Sequence, residues 1–408
     1  MRFLIPLAIL LCLDFYAFQA FETLAREWPK WVRLTINLVY WAVPALAIGT
    51  AAAAMFSDYS TWNKQVFTAI RAVIVIAYFS KLLMAVVLFG GDTFRFFHNQ
   101  LANWTAKPNH DPSRSRFLAS SAILVGSLPF LTLTYGIFRN AYRYRLHKIR
   151  IPIKNLPTGL QGLRIVQISD VHSGSFSDPA LIQPGIELIN AQNPDLVFFT
   201  GDLVNSVSTE IEPYLNVFDK IRAKYGVFSI TGNHDYGDYA RWESLEAKTE
   251  NFEHFKNMHR RLGWDLLLNE NRVININGEK LAIIGVENYS GKANFSKYGR
   301  LGQAAAGTES VATKILLSHD PSHWDAEVRP DFPNIQLTLS GHTHGFQFGI
   351  EIPGWIKWSP VKWLYHQWAG LYEQGGQYLY VNRGFGFLGY PGRVGILPEV
   401  TLLELVAA

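Results

Sequence analysis

Residues that can bind metal ions recur in five short groups along the C-terminal two thirds of the chain, and each group follows an apolar run. Aspartate, asparagine and histidine supply oxygen and nitrogen donors, which suit Mn, Fe, Zn or similar ions. The set contains more donors than one ion needs and therefore favours two ions. The candidate metal ligands are Asp170, His172, Asp202, Asn233, His319, His342 and His344, and His234 lies beside Asn233.

Two ions held by these groups would support phosphoryl chemistry. A pair of divalent ions ~3.5–4 Å apart lowers the pKa of a shared water and clamps the oxygens of a phosphoryl group. Asp202 is the natural bridge, because a carboxylate can give one oxygen to each ion. A glycine precedes Asp202, Asn233 and His342 and lets the backbone turn tightly beside the site. The pattern therefore predicts hydrolysis of a phosphate ester by metal-activated water.

The segments that must position these groups alternate in the pattern typical of an α/β layer fold. From about residue 151, short apolar runs alternate with polar or helical stretches of ~20 residues. Ligands in open α/β sheets bind at the carboxyl ends of strands, so the groups should converge on one site. We predict strands at 164–169, 195–200, 226–231, 280–286, 314–318, 335–340 and 401–405, and helices at 178–190, 208–225 and 241–262.

The order and spacing of the groups resemble the calcineurin-like metallophosphoesterase superfamily between residues 165 and 345. Its pattern is D-x-H, G-D-x-x-D, G-N-H-D/E, a later H, and then G-H-x-H. The resemblance implies an α/β fold in which a β-sandwich of two mixed sheets is flanked by helices. The matching residues are Asp170 and His172, then Gly201, Asp202 and Asn205, then Gly232, Asn233, His234 and Asp235, then His319, and finally Gly341, His342 and His344.

The resemblance also implies a role for each matching residue. His234 would bind a phosphate oxygen or protonate the leaving group, and Asp235 would orient it. Asn205 stands where the family has aspartate. That position usually supports the metal ligands without binding metal itself, so the substitution bears on how the ligands are supported and not on metal binding. Mn²⁺ is the first metal to expect, with Fe and Zn as alternatives. The first ion would be held by Asp170, His172, Asp202 and His344, and the second by Asp202, Asn233, His319 and His342.

The composition of the 408-residue chain indicates a membrane part. Apolar residues make up 49% and charged residues only 17%, and the apolar excess lies mostly before residue 140. Four apolar runs, at 3–21, 34–56, 66–90 and 117–138, are each long enough to cross a hydrocarbon core of ~30 Å. A signal peptide is the alternative for the first run, but we favour a retained helix. We predict a transmembrane region at 1–140, a basic juxtamembrane linker and first strand at 141–160, and the metallophosphoesterase domain at 161–408.

Charged residues in and beside these runs bear on packing and topology. Asp14, Arg71 and Lys81 should face the interior of the helix bundle, either pairing with one another or lining an ion path. The only cysteine, Cys12, excludes a disulfide within the chain and any thiolate metal site. The net charge of +4 gives no nucleic-acid signal. A basic cluster predicts that the catalytic domain is cytoplasmic on a bacterial inner membrane; it comprises Arg139, Arg143, Arg145, Lys148 and Arg150.

Aromatic residues crowd residues 345–372. They could form a belt at the membrane interface or an acyl-chain groove, or they could simply cover one face of a sheet. Further along, Arg383 and Arg393 are candidates for binding a phosphate or diphosphate, and Asn205 is a third candidate for contacting substrate. The aromatic side chains are Trp355, Trp358, Trp363, Tyr365, Trp368 and Tyr372.

The G-N-H-D-Y-G stretch at 232–237 and the Gly-rich, aromatic C-terminus are similar to the membrane-anchored bacterial branch of the superfamily. That branch is similar to phosphodiesterases acting on UDP-2,3-diacylglucosamine, so a lipid-linked phosphodiester or pyrophosphate is the expected substrate. One alternative is a tethered phosphodiesterase or phosphatase for soluble substrates. Another, of a different class, is a non-catalytic metal-binding membrane scaffold or sensor.

Overall fold

The computed structural model describes residues 4–57, 62–102, 112–292, 295–352 and 354–408. The chain divides into two compact units, Met1–Gly136 and Ile137–Ala408. The predicted boundaries at residues 140 and 160 fall in the second unit, where the first strand of the sandwich begins at Arg145.

The first unit consists of four apolar helices, as predicted. Each is long and apolar enough to cross a membrane by length and composition. A π-helical turn, Gly136–Asn140, follows the fourth helix. The helices are α1 (Leu4–Ala25), α2 (Lys30–Phe56), α3 (Lys64–Ala102) and α4 (Pro112–Tyr135).

A buried ion pair joins two of these helices. The Lys81 ammonium lies 2.6 Å from the Asp14 carboxylate, and the Tyr78 hydroxyl donates to the same carboxylate at 2.8 Å. Asp14 and Lys81 therefore pair with each other, one of the two outcomes expected for them. Our expectation for Arg71 is wrong, because its side chain is exposed and its guanidinium lies 5.5 Å from the centre of the Phe67 ring.

The second unit contains two six-stranded mixed sheets, which confirms the predicted fold class. The first sheet has the order β1-β14-β2-β3-β4-β5 and the second β12-β13-β9-β8-β7-β6, while β10 and β11 form a separate hairpin. The strands are β1 (Arg145–Ile153), β2 (Arg164–Ile168), β3 (Leu196–Phe199), β4 (Val227–Ser229), β5 (Asp265–Leu266), β6 (Glu270–Ile276), β7 (Glu279–Gly285), β8 (Thr313–Leu317), β9 (Leu337–Ser340), β10 (Ile350–Ile352), β11 (Ile356–Trp358), β12 (Gly370–Gln374), β13 (Gln377–Val381) and β14 (Glu399–Ala407).

The sheets pack face to face because side chains alternate between the two faces of each strand. Ile165 and Phe198 of the first sheet meet Ile283 and Leu317 of the second in one buried cluster. The outer face of each sheet is covered by helices and turns. The helices are α5 (Gln183–Asn190), α6 (Leu215–Phe218), α7 (Leu245–Leu262), α8 (Leu301–Ala305) and α9 (Arg329–Asp331).

The predicted helices are shorter than expected. Residues 208–225 form a 3-10 helix, Ser208–Tyr214, followed by the single turn of α6, and Pro213 lies inside the first of these. Proline removes a backbone donor, which works against one continuous helix there. Helix α7 begins at Leu245 and not at residue 241, because Ser244 caps it by accepting a hydrogen bond from the Ala247 N–H at 3.2 Å.

Candidate metal centre

The predicted ligands lie in the loops that leave five strands at their carboxyl ends. Strands β2, β3 and β4 are parallel neighbours in the first sheet, and β8 and β9 are parallel neighbours in the second. The loops therefore meet at one edge of the sandwich. β2 delivers Asp170 and His172, β3 delivers Asp202, β4 delivers Asn233 and His234, β8 delivers His319, and β9 delivers His342 and His344.

Two groups of three side chains in this edge have donor atoms close enough to hold an ion. Asp170, His172 and His344 form one group, and Asp170, Asp202 and His319 form the other, with all donor atoms of a group within 4.8 Å of one another. The carboxylate of Asp202 lies between the groups, because its Oδ2 is 3.1 Å from His319 Nε2 and 3.5 Å from His172 Nε2. Asp170 is the carboxylate that belongs to both groups, whereas Asp202 belongs to one group and approaches His172 of the other.

The remaining predicted ligands meet beside these groups. Asn233 Oδ1 lies 2.9 Å from His342 Nδ1, and the Asn233 side-chain N–H donates to the Tyr239 hydroxyl at 2.9 Å. The backbone N–H of His342 donates to both carboxylate oxygens of Asp170 at 3.0 Å. The structure thus brings all seven predicted ligands into one site.

The backbone at the site is unusual. Asp170, His172, Asp202, His342 and His344 all have positive φ angles, between 50° and 70°. Non-glycine residues adopt this left-handed conformation only where the surrounding structure requires it, and such residues cluster at functional sites. The conformation turns each side chain back across the end of its strand, toward the other ligands.

Glycines make room for the two carboxylates. A Cβ atom on Gly232 would overlap the Asp202 carboxylate, and one on Gly341 would overlap Ser169 Oγ and the Asp170 carboxylate. Gly201 has φ of 93° and lies against the backbone of Gly232. The glycines that precede Asp202, Asn233 and His342 are therefore all needed for close approach, and Gly201 alone of the three also needs the left-handed backbone that glycine allows.

The site concentrates negative charge away from water. Asp170 and Asp202 are buried, and in the part of the chain that the structure describes their ion-pair partners are histidines, with no lysine or arginine. Burial opposes their ionisation, but the neighbouring imidazoles hold the pKa of both carboxyl groups below the ordinary value. Burial also opposes the charged form of His319, yet Asp202 and Asp170 raise its pKa to about 10. A buried carboxylate pair of this kind favours a positive charge beside it, either a proton on His319 or a metal ion in its place.

The donors fit divalent metal ions. His319 Nε2 is buried 3.1 Å from Asp202 Oδ2 but makes no hydrogen bond of good geometry, while His319 Nδ1 donates to the Thr200 carbonyl oxygen at 2.7 Å. His172 Nε2 and His344 Nε2 point at each other across only 3.0 Å. Nitrogen atoms converging on carboxylate oxygens, with one carrying no other partner, are what an N/O metal site requires.

His234 is held differently from our expectation. Its backbone N–H donates to Asp202 Oδ1 at 2.9 Å, and its Nδ1 donates to the carbonyl oxygen of Asn205 at 2.7 Å. A carbonyl oxygen can only accept, so Nδ1 carries the proton and Nε2 is the nitrogen left to exchange a proton with a substrate. The ring also packs on Tyr239, with centroids 4.4 Å apart.

The orienting role predicted for Asp235 is therefore wrong. The buried Asp235 carboxylate accepts backbone N–H groups of Asp202, Leu203 and Gly232 at 2.8–2.9 Å. Burial, followed by repulsion from Asp202, raises its pKa to about 8. Asp235 fixes the two ligand-bearing loops against each other and is a positioning residue.

The structure also corrects the three predicted substrate-binding residues. The Asn205 side chain donates to Ser175 Oγ at 3.0 Å, and it is the backbone carbonyl of Asn205 that serves the site. Arg383 is buried between Glu351 and Glu399, at 2.6 Å from each. Arg393 is buried and donates to the carbonyl oxygens of Arg383, Gly384 and Gly386. Both guanidinium groups are occupied by internal partners, so the structure argues against direct phosphate binding.

Sequence reasoning missed Tyr365. Its hydroxyl lies 2.8 Å from His342 Nε2 and donates to Asp320 Oδ2 at 3.2 Å, so it links a predicted ligand to a buried carboxylate. Asp320 directly follows His319 and could have been noticed as part of the site. Tyr365 could not, because it comes from the aromatic segment and only the tertiary fold brings it to His342.

Comparison with known proteins agrees with this geometry. The family model described as "Calcineurin-like phosphoesterase" matches residues 163–346. A second model, "Probable Calcineurin-like phosphoesterase, transmembrane domain", matches residues 1–141. Residues 142–162 separate the two matches, which together account for most of the chain.

Three curated relatives align with between 66% and 76% of this chain. The metallophosphoesterase YkuE of Bacillus subtilis is 31% identical over 72% of this chain and 97% of its own length. A bovine transmembrane protein with metallophosphoesterase domain is 27% identical over 76% of this chain and 68% of its length. The UDP-2,3-diacylglucosamine pyrophosphatase LpxG of Chlamydia trachomatis is 24% identical over 66% of this chain and 92% of its length. The chain belongs to the calcineurin-like metallophosphoesterases and is a metal-dependent phosphoesterase with an N-terminal transmembrane region.

Proposed function

We propose that the protein is a membrane-anchored phosphoesterase with two metal ions, which hydrolyses a phosphodiester or pyrophosphate bond in a lipid-linked substrate such as UDP-2,3-diacylglucosamine. The observation that carries the proposal is the pair of three-donor groups that share Asp170 in one buried site. The pyrophosphatase from Chlamydia, distant at 24% identity, supports the choice of substrate class.

We assign Asp170, His172, Asp202 and His344 to one ion and Asp202, Asn233, His319 and His342 to the other, with Mn²⁺ as the first candidate. Two ions held there would lower the pKa of a water and clamp the oxygens of the phosphoryl group. The position of Asp202 Oδ2, within 3.5 Å of a histidine from each set, supports a bridging role for it.

His234 is our candidate for the proton transfer. Its Nδ1 proton is committed to the Asn205 carbonyl, so Nε2 can accept a hydrogen bond from a protonated phosphate oxygen or, once protonated, donate to the leaving group. Its backbone N–H is fixed on Asp202, which couples the position of the ring to the metal ligands. The side chain is half-buried, so substrate can reach it.

We further propose that residues 1–140 are the membrane region, that residues 161–408 are the catalytic domain, and that this domain is cytoplasmic on a bacterial inner membrane. The dense basic cluster that follows the last helix supports this topology by the positive-inside rule. The cluster comprises Arg139, Arg143, Arg145, Lys148 and Arg150.

The test is a hydrolysis panel on detergent-purified protein with added Mn²⁺. It compares UDP-2,3-diacylglucosamine with a generic phosphodiester and a phosphomonoester, and measures bound metal in parallel. We expect the lipid nucleotide to be preferred. The variant His234→Ala should lose about 10²–10⁴-fold in kcat with its metals retained. Asp202→Asn should lose activity together with metal, and a chelator should abolish the wild-type rate.

Each outcome separates the alternatives. Equal rates on the small esters would mean that the enzyme is merely tethered and acts on soluble substrates. Full metal occupancy without hydrolysis of any ester would remove the catalytic proposal and favour a metal-binding scaffold.

A further inference from the structure

The aromatic segment divides into inward and outward parts. Tyr365 and Trp368 are buried at the metal centre, where the Tyr365 hydroxyl contacts His342 and the Trp368 carbonyl accepts a hydrogen bond from the Thr343 hydroxyl. Trp355 and Trp363, in contrast, are 76% and 71% exposed. Covering a sheet face therefore explains only some of these aromatics.

The exposed part is one continuous apolar surface, which we call the hairpin surface. It comprises Ile350, Ile352, Trp355, Ile356, Trp358, Trp363 and Leu364. Ile350 pairs across the hairpin with Trp358, and Ile352 pairs with Ile356, so the four side chains share one face of the two strands. The ring of Trp358 contacts that of Trp363 at 5.9 Å, and Trp355 forms the turn between the strands.

The other face of the hairpin is fixed to the domain. Glu351 and Lys357 pair across the strands on that face. Glu351 binds the guanidinium of Arg383, and the Lys357 ammonium donates to the carbonyl oxygen of Ala369. Glu351 and the Lys357 ammonium thus attach the polar face to the domain, although Lys357 itself remains exposed. On the apolar face, Ile350 and Ile352 are exposed and Ile356 and Trp358 are half-buried.

Apolar exposure is concentrated here. Among the described residues of the second unit, more than half of the exposed large apolar side chains lie between residues 346 and 371. A contiguous apolar patch of this kind marks an interaction site. The surface also lies next to the metal centre along the chain, since Leu364 directly precedes Tyr365.

The charges around the surface suit a lipid bilayer. Residues 352–372 contain no aspartate or glutamate, and they carry Lys357 and Lys362. Lys362 is exposed, and the ammonium of Lys292 donates to the Leu364 carbonyl at 2.7 Å, so cations border the apolar face. Tryptophan favours the membrane interface, and lysine near it is attracted to anionic headgroups. The four apolar helices anchor this chain in a membrane, so a bilayer is available to the surface.

We propose that the hairpin surface inserts into the interfacial layer of the bilayer that anchors the protein. Trp355 and Trp363 lie at headgroup depth, Ile350, Ile352 and Leu364 contact the acyl chains, and the exposed Lys362 binds lipid phosphates. The metal centre is thereby held at the lipid surface. The inference depends on membrane anchoring and not on the reaction, so it can fail while the proposed function stands.

Site-directed spin labelling of the full chain in lipid nanodiscs tests this. Cys12→Ser removes the only cysteine, and Trp355→Cys or Trp363→Cys then places a nitroxide on the hairpin surface. Leu245→Cys is the matched control, because Leu245 is an equally exposed apolar residue (74%) at the start of α7. Collision of each label with membrane-soluble oxygen and with a water-soluble nickel chelate is measured in zwitterionic and anionic lipid.

At the hairpin positions we expect more oxygen collision and less nickel collision than at position 245, with a larger difference in anionic lipid. Equal access of nickel to hairpin and control labels would overturn the proposal. Protection from both reagents would also overturn it, because it would show that protein, a partner or a second copy, covers the surface. Wild-type metal content in each variant verifies that the domain is folded.

Discussion

Hydrogen bonds to the protein determine which ring nitrogen of His234, His319 and His342 faces the metal centre. His234 and His319 each donate from Nδ1 to a backbone carbonyl, of Asn205 and Thr200 respectively, which leaves Nε2 for chemistry. His342 is turned the other way, with Nε2 beside Tyr365 and Nδ1 toward Asn233. These partners fix tautomers before any ion arrives, as expected of groups that support metal ligands.

The variant Asn205→Ala should be nearly as active as the wild type. The Asn205 side chain binds Ser175, whereas the carbonyl that orients His234 belongs to the backbone and survives the substitution. We expect a loss in kcat of less than about tenfold and a stability cost of about 1 kcal/mol. Steady-state kinetics beside His234→Ala and Ser175→Ala measure this. A loss as large as that of His234→Ala would show that the side chain itself works in the site.

The variant Tyr365→Phe should weaken binding of the ion assigned to Asn233 and His342. It removes the hydroxyl between His342 and Asp320 and keeps the ring. Loss of such a supporting group typically lowers metal affinity about 10–100-fold. Metal titration followed by metal analysis reports the change, with Tyr378→Phe on β13 as the control. Unchanged affinity for both ions would mean that Tyr365 only packs in the site.

At the scale of elements, the strands bring short loops to one edge of the sandwich, and the conformations of these loops position the metal-binding side chains. Five of the predicted ligands have a left-handed backbone conformation. Neighbouring glycines provide space for the carboxylates of Asp170 and Asp202. The loop after β4 illustrates the constraint, since Gly232 lies against Asp202 of the loop after β3 while Asp235 binds the backbone of both loops.

The variant Gly232→Ala should therefore lose metal although it changes no ligand. The added Cβ would overlap the Asp202 carboxylate, which cannot move without leaving His319 and His172. We expect reduced metal content, little activity and a lower Tm. Gly302→Ala in α8 is the control, because no atom lies within 4 Å of its Cβ position, and it should be neutral or raise the Tm. Full metal content in Gly232→Ala would contradict the packing argument.

At the scale of the whole catalytic unit, one buried ion network joins the two sheets and the hairpin. Arg383, just after β13 of the second sheet, binds Glu399 at the start of β14 in the first sheet and Glu351 of the hairpin. The Tyr380 hydroxyl also donates to Glu399 at 2.7 Å. Replacing one partner in such a network is strongly destabilising, because it leaves the other charge buried and unpaired.

The network should make stability depend on acid pH. Burial opposes ionisation of Glu399, but Arg383 lowers its pKa to about 2, below the unfolded value of about 4.3. The stabilisation is therefore present above about pH 4.3 and is lost as the pH falls toward 2. Thermal unfolding in detergent across this range measures it. The variant Glu399→Gln should have a lower Tm at pH 7 and a flatter profile, and a profile parallel to the wild type would contradict the assignment.

The sequence by itself predicted which side chains meet at one site, which strands deliver them, and the four apolar helices. These features are local, because each ligand follows its own apolar run directly and each helix is marked by its own hydropathy. The motif resemblance supplied the two mixed sheets, which the structure confirms. Helix ends were less predictable, since Pro213 and the Ser244 cap act within a single turn.

Only the tertiary structure decided the direction in which side chains point and what they meet. From the sequence, Arg383 and Arg393 were candidates for binding phosphate. In the folded protein they are buried, Arg383 among carboxylates and Arg393 among carbonyl groups. Asp235 was adjacent to His234 in sequence, yet its carboxylate turns to the backbone of the next loop. Tyr365 and Trp363 are two residues apart, and one faces His342 while the other faces outward. Such contacts join residues far apart in the chain, so they exist only once the two sheets have packed.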